Sequence, residues 1–114
     1  MAKLKPLVIE RSRWLRGQGK GCLRVNEDNV GIFGNFNVGR MCCLGFLCEE
    51  LGGNMAVIGA GATPPGSLIV TPLGSDDWQA FIAPNDDPCL DDFDREAILF
   101  PLFKDIGYAV EFVD

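Results

Sequence analysis

Gly39–Gly53 reads GRMCCLGFLCEELGG, and three of the chain's five cysteines fall inside it. Leu44, Leu47, Cys48 and Leu51 stand at i, i+3, i+4 and i+7, the spacing that places side chains on one stripe of an α-helix. Gly52-Gly53 then supplies a residue able to adopt left-handed backbone angles and end the helix. The stretch predicts a helix whose stripe faces a core. Cys48 lies among leucines on that stripe, where a free thiol packs as a small hydrophobe, and Cys42 and Cys43 fall just before or inside the first turn.

Working outward, residues 90–114 read LDDFDREAILFPLFKDIGYAVEFVD. Acids open a helix, Ile98, Leu99, Leu102, Phe103 and Ile106 carry its apolar face, Gly107 ends it, and YAVEFV follows as a strand. Pro101 should kink or shorten that helix, because it lacks the N–H that the preceding turn needs. Toward the N-terminus, LVIERSRWL (7–15) after Pro6 predicts a short helix, with a strand left open by β-branched Val8 and Ile9. CLRV (22–25) and VGIF (30–33) around NEDN predict a hairpin. SLIV (67–70) predicts an edge strand beside Pro72, and SDDWQAFIA (75–83) a short helix capped by Ser75. Together these elements predict one small α+β domain, a mainly antiparallel sheet packed against two or three helices, with Leu44, Leu47, Cys48, Leu51, Leu102 and Phe103 in its core.

The chain has 114 residues, 47% of them apolar, with eight Phe and two Trp, enough for one buried core and too short for two. Its longest apolar runs are far below the ~20 residues that cross a bilayer, and the apolar patch near the N-terminus is too short for a secretion signal. A soluble, cytoplasmic protein with reduced thiols is the expectation. Histidine is absent, which removes Cys-His and Ser-His nucleophile pairs and every His-containing zinc site. The net charge of −6 is uneven. Residues 1–40 hold eight cations against three acids, a net +5, and residues 41–114 hold two against thirteen, a net −11. Either the two halves fold against each other and neutralise, or an acidic face meets a basic partner.

Five features invite chemistry. The thiols of Cys42 and Cys43 near a helix start could be activated, but they lack a partner base, and as zinc ligands the adjacent Cys42 and Cys43 rarely hold one ion together. AVIGAGATPPG runs an apolar segment into G-x-G, yet Pro64 and Pro65 stand where a dinucleotide-binding helix should begin. NDDPCLDDFDRE gathers Asp86, Asp87, Asp91, Asp92, Asp94 and Glu96 without the central glycine of a calcium loop. It reads either as a capped, solvated helix start or as a protein-binding ridge. Arg11, Arg13, Arg16 and Lys20 around Trp14 have nucleic-acid-binding chemistry, which the net negative field opposes. No metal or cofactor is expected.

Two blocks of sequence carry a resemblance. Trp14, Gly17, Gly21 and Leu23 followed by Cys42, Cys43, Leu44, Gly45, Phe46, Leu47 and Cys48 form the first. Asn85 and Asp86, Arg95 and Glu96, Leu102 and Phe103, Gly107, Val110 and the closing Glu111-Phe112-Val113 form the second. In these residues the chain resembles a group of small proteins encoded by tailed bacteriophages and prophages. The resemblance implies a phage-type accessory protein that acts on a host protein. Combined with the acidic run, it gives the functional expectation: a non-enzymatic protein that binds a basic host protein, such as a defence or nucleic-acid-binding complex, through residues 86–96, with inhibition as one outcome of that binding and no direct contact with membrane or nucleic acid. The alternative is a binder of small molecules or nucleotide signals using glycine-rich loops 17–21 and 59–66, and a Cys-dependent enzyme ranks third.

Overall fold

Leu7 and Ile9 alternate with Pro6, Val8 and Glu10, and that alternation sets the first element. In the computed structural model, which describes residues 4–27, 29–55, 59, 61 and 75–114, Lys5–Glu10 is a strand, β1. Leu7 and Ile9 are buried and Val8 is exposed, the period of two of a strand with one covered face. Its partner is β2, Tyr108–Val113, at the far end of the chain. The strands run parallel, with Lys5 opposite Tyr108, Leu7 opposite Val110 and Ile9 opposite Phe112. This two-stranded parallel sheet overturns the mainly antiparallel sheet expected from the sequence. Parallel neighbours need a crossover connection, and here the crossover is the whole intervening chain.

Within it lie the one-turn helix α1, Val30–Phe33, then α2, Cys43–Glu50, α3, Ser75–Asp86, and α4, Asp92–Asp105. Single 3-10 turns occupy Arg11–Arg13 and Asn35–Asn37. The segment expected as an N-terminal helix is therefore β1 followed by a turn, because Leu7 and Ile9 are buried on the sheet's covered face and β-branched Val8 and Ile9 favour the extended backbone. The expected hairpin does not form either. Residues 30–33 are helical, and the backbone N–H groups of 23–25 donate to three separate carbonyls, those of Gly61, Gly59 and Arg40, each at 2.8 Å. The strand expected at 67–70 lies outside the described residues.

Helix α2 is buried all round from Cys43 to Cys48, with Leu51 half-buried at its end. A helix apolar on every side belongs inside, and one residue lets it in. The Leu23 carbonyl and the Met41 Cβ lie where a Cβ on Gly45 would stand, so the 22–25 segment crosses directly on the helix backbone. Gly52, at φ +80°, turns the chain out of the helix, and the Gly53 N–H donates to the Cys48 carbonyl at 2.9 Å.

Helix α4 starts at a cap, where the Asp91 carboxylate accepts from the Asp94 N–H at 2.8 Å. Leu99 and Phe103 are buried, and Leu102 and Ile106 pack against the core from its margin. Pro101 does not shorten the helix, which continues to Asp105. Pro101 and Ala97 are both exposed, so the carbonyl left without its i+4 donor is on the solvated side. Aromatic contacts close the core: Phe103 meets the edge of Phe81 at 4.9 Å, and Trp14 stacks on Phe112 at 5.2 Å. No helix of the described residues is long and apolar enough to cross a membrane.

The closest packing gives a direct test. Gly45→Ala places a methyl group against fixed backbone and should lower unfolding free energy by about 3 kcal/mol or more, the upper range for an overfilled core, measured by urea titration. A loss below about 0.5 kcal/mol, the size of an ordinary surface change, would contradict this packing.

Candidate functional site

The acidic run meets the arginines of the N-terminal half. Arg11 donates from Nε and Nη2 to the two oxygens of Glu96 at 3.0 and 2.7 Å, and from Nη1 to Asp114 at 2.9 Å. Arg16 grips both oxygens of Asp92 at 2.7 and 2.8 Å, with its guanidinium carbon 4.7 Å from the centre of the Trp14 ring. Buried Arg95 donates to Asp92 at 2.8 Å and to the carbonyls of Pro84, Asp87 and Leu90 at 2.7 to 3.0 Å. The guanidinium of Arg16, with that of Arg95, holds the Asp92 carboxyl below the usual range against a smaller opposing effect of burial. Such bidentate, charge-assisted pairs are the strong kind. Two further acids serve the backbone: Asp91 caps α4, and the Asp87 carboxylate accepts from the Cys89 N–H at 2.8 Å. Of the six residues expected to face a partner, only Asp94 has an exposed carboxylate without such a role.

Asp86 is half-buried, and burial raises its pKa against the hydrogen bond it accepts from Asn85. It helps wall a cavity of about 10 Å³ with Gly21, Cys42, Cys43, Leu44, Ile82 and Asn85, room for one water. Asn85 itself is almost fully buried. Its Oδ1 accepts from the Trp14 indole at 2.8 Å and from the Cys43 N–H at 3.0 Å, and its Nδ2 donates to the Leu15 carbonyl at 3.0 Å and to Asp86 at 2.9 Å. Cys42, at the start of α2, offers no side-chain cap, so Asn85 caps that helix from a distant part of the chain.

The thiols are interior. Cys22, Cys42, Cys43 and Cys48 are buried and Cys89 is exposed. Burial pushes Cys22 and Cys48 up to about 11 and Cys42 to about 12, and raises Cys43 as well, the opposite of what a nucleophile needs. Among the described residues no group of three His, Cys, Asp or Glu is placed to hold a metal ion. The glycine loops are engaged internally too. Gly17 and Gly19 donate their N–H groups to the carbonyls of Asn85 and Asp86 at 2.8 and 2.7 Å, closing the end of α3. Gly59 and Gly61 offer their carbonyls to Arg24 and Leu23. Residues 60 and 62–66 of the second loop lie outside the described residues.

Among the described residues, one groove open to a partner lies beside the outer face of the sheet. Parallel register puts Pro6 beside Ala109, Val8 beside Glu111 and Glu10 beside Val113, all on the face opposite Leu7 and Val110. Helix α2 borders β1 there, and Pro6, Val8, Glu10, Arg13, Phe46, Glu49 and Glu50 line a groove of about 460 Å³. Val8 is 47% exposed on its floor. Arg13 bridges Glu10 at 3.1 Å and Glu49 at 3.2 Å, which leaves Glu50 and Glu111 without an ion-pair partner among the described residues. Four acids and one cation give this face a net charge of −3. Sequence reasoning missed it because 7–15 reads as a helix. Once 5–10 is a strand, the alternation of Pro6, Val8 and Glu10, with Glu49-Glu50 at the end of α2, is the signal.

Two measurements follow. Asn85→Ala leaves the Trp14 indole, the Cys43 N–H and the Leu15 carbonyl without partners, and at about 1–3 kcal/mol for a buried unpaired group should lower stability by roughly 3–5 kcal/mol in urea titration. Asp92 contributes stability above its unfolded pKa of about 4 and loses it as pH falls through its lower folded value. Asp92→Asn should therefore melt below the unsubstituted protein at pH 7, with the gap closing as thermal scans approach about pH 3.

Compared with family models, curated proteins and solved structures, the chain matches none.

Proposed function

We propose that the chain is a non-enzymatic binding protein that holds a host protein by a lysine- or arginine-bearing, partly apolar segment seated in the groove between β1 and α2. The observation that carries this reading is a groove that joins apolar Val8 and Phe46 to an unneutralised Glu50, with Glu111 standing beside Val8 in the parallel register. An extended segment could lay alternate apolar side chains on Val8 and direct its cations to the rim, the division between pocket contacts and charge that recurs in peptide recognition. The acidic-surface idea is kept and its location moves, from 86–96, where Arg11, Arg16 and Arg95 neutralise two of the acids, to Glu10, Glu49, Glu50 and Glu111. The resemblance to small tailed-phage proteins supports a host partner and a cytoplasmic setting. Inhibition follows if the captured segment is one the host protein needs for contact with phosphate-bearing ligands.

A synthetic peptide alternating lysine and leucine is the probe. Calorimetric titration should show binding that weakens with added salt. Glu49→Lys with Glu50→Lys should weaken it about tenfold or more, since exposed rim charges act mainly through modest pairwise terms, while Asp94→Lys should leave it unchanged. Equal affinity for the Glu49/Glu50 variant, or loss on Asp94→Lys alone, would overturn the assignment.

A further inference from the structure

Helix α4 buries Leu99 and Phe103 inward and carries a second apolar stripe on its outer side. Phe93, Ala97, Phe100 and Lys104 stand at i, i+4, i+7 and i+11 with Pro101 beside them, and all five are exposed. Phe93 is 82% exposed and Phe100 47%. Two phenylalanines on one outer helix stripe are not a solvent face of the usual kind, and the stripe has a specific complement in itself.

From Phe93 to Lys104 the stripe spans about 16 Å at 1.5 Å per residue. Laid antiparallel on an identical helix about a two-fold axis passing between Ile98 and Leu99, Phe100 falls against Ala97 of the other copy, large against small, at both ends of the contact. Lys104 falls beside Phe93 and Asp94 of the other copy. A lysine over an aromatic ring and next to a carboxylate is favourable on both counts. Lys104 and the Asp94 carboxylate have no ion-pair partner among the described residues, so both are available. The helix ends are complementary as well: acids occupy the first turn of α4 and Lys104 its last, and antiparallel placement sets each against the other.

We infer that a second copy of this chain covers the outer face of α4, giving a two-fold dimer in which Phe100 packs on Ala97 and Lys104 pairs with Asp94 across the axis. Such an isologous contact closes on itself and does not propagate. It is independent of the groove reading. Leu99 and Phe103 pack with Val110, on the covered face of the sheet, whereas the groove lies beside the other face, so pairing through α4 leaves both grooves open.

Sedimentation equilibrium over a concentration series tests it. The weight-average mass should rise from the 12.4 kDa of one chain toward twice that value. Lys104→Asp and Asp94→Lys each place like charges at both ends of the contact and should weaken association about tenfold. Mixed in equal amounts, these two variants should recover association to within roughly threefold of the unsubstituted chain, because the mixed pair restores an opposite-charge contact at both ends. Phe93→Ser, an exposed position, should keep the melting temperature and lose association. A mass that stays at one chain up to about 1 mM, the weakest affinity of practical interest, overturns the proposal. So does an equimolar mixture no stronger than its components, or full association by Phe93→Ser. Failure here leaves peptide binding in the groove untouched, and loss of groove binding leaves the dimer untouched.

Discussion

One buried amide holds the N-terminal third, α2 and α3 in register. Asn85 has two acceptor lone pairs and two amide hydrogens, and all four meet a partner: the Trp14 indole, the first N–H of α2, the Leu15 carbonyl and Asp86. Its orientation is fixed by those partners, since a reversed amide would set hydrogens against hydrogens. Because Asn85 is buried, each bond is strong and its loss is expensive. Its own carbonyl receives the Gly17 N–H, so the backbone here binds the same loop that the side chain does. Trp14, held in this way, is the ring on which Phe112 of β2 stacks, and the closing strand is thereby joined to the same point.

Around that amide, electrostatics acts as fastening. The excess cations of residues 1–40 and the excess acids of residues 41–114 pair through Arg11, Arg13 and Arg16, so the long crossover between two parallel strands is clasped at several places. A parallel pair at the chain ends is entropically demanding, because it closes the longest loop the chain can make. Bidentate arginine contacts to Glu96 and Asp92 lie close to that closure. Within the densest acidic run Arg11, Arg16 and Arg95 neutralise Glu96 and Asp92, and beside the groove between β1 and α2 Glu50 and Glu111 have no ion-pair partner among the described residues.

Helices α2 and α4 were legible in the sequence because their information is local: a 3.6-residue period, a carboxylate cap at Asp91, glycines at 52 and 107. The sheet was not, because β1 is six residues whose identity as a strand depends on a partner at the other end of the chain. Without Tyr108–Val113 beside it, LVIE is equally a helix start. Residues 22–25 misled for a related reason, in that their backbone groups are satisfied by Gly59, Gly61 and Arg40 and not by a neighbouring strand. Pro101 carried less weight than its propensity suggests, since its unmade bond faces water. Acids such as Asp92 and Glu96 can be counted in a sequence, but whether an arginine occupies them depends on tertiary contacts across more than seventy residues.

The importance of the Asn85 contacts is tested most directly by hydrogen exchange on the intact protein, residue by residue, by NMR. If Asn85 couples these elements, the Trp14 indole N–H and the Cys43 amide should exchange only with global unfolding, as slowly as the Leu47 amide in the middle of α2. Exchange of either at a rate orders of magnitude faster, with the Leu47 amide still protected, would show that the core holds together without that side chain.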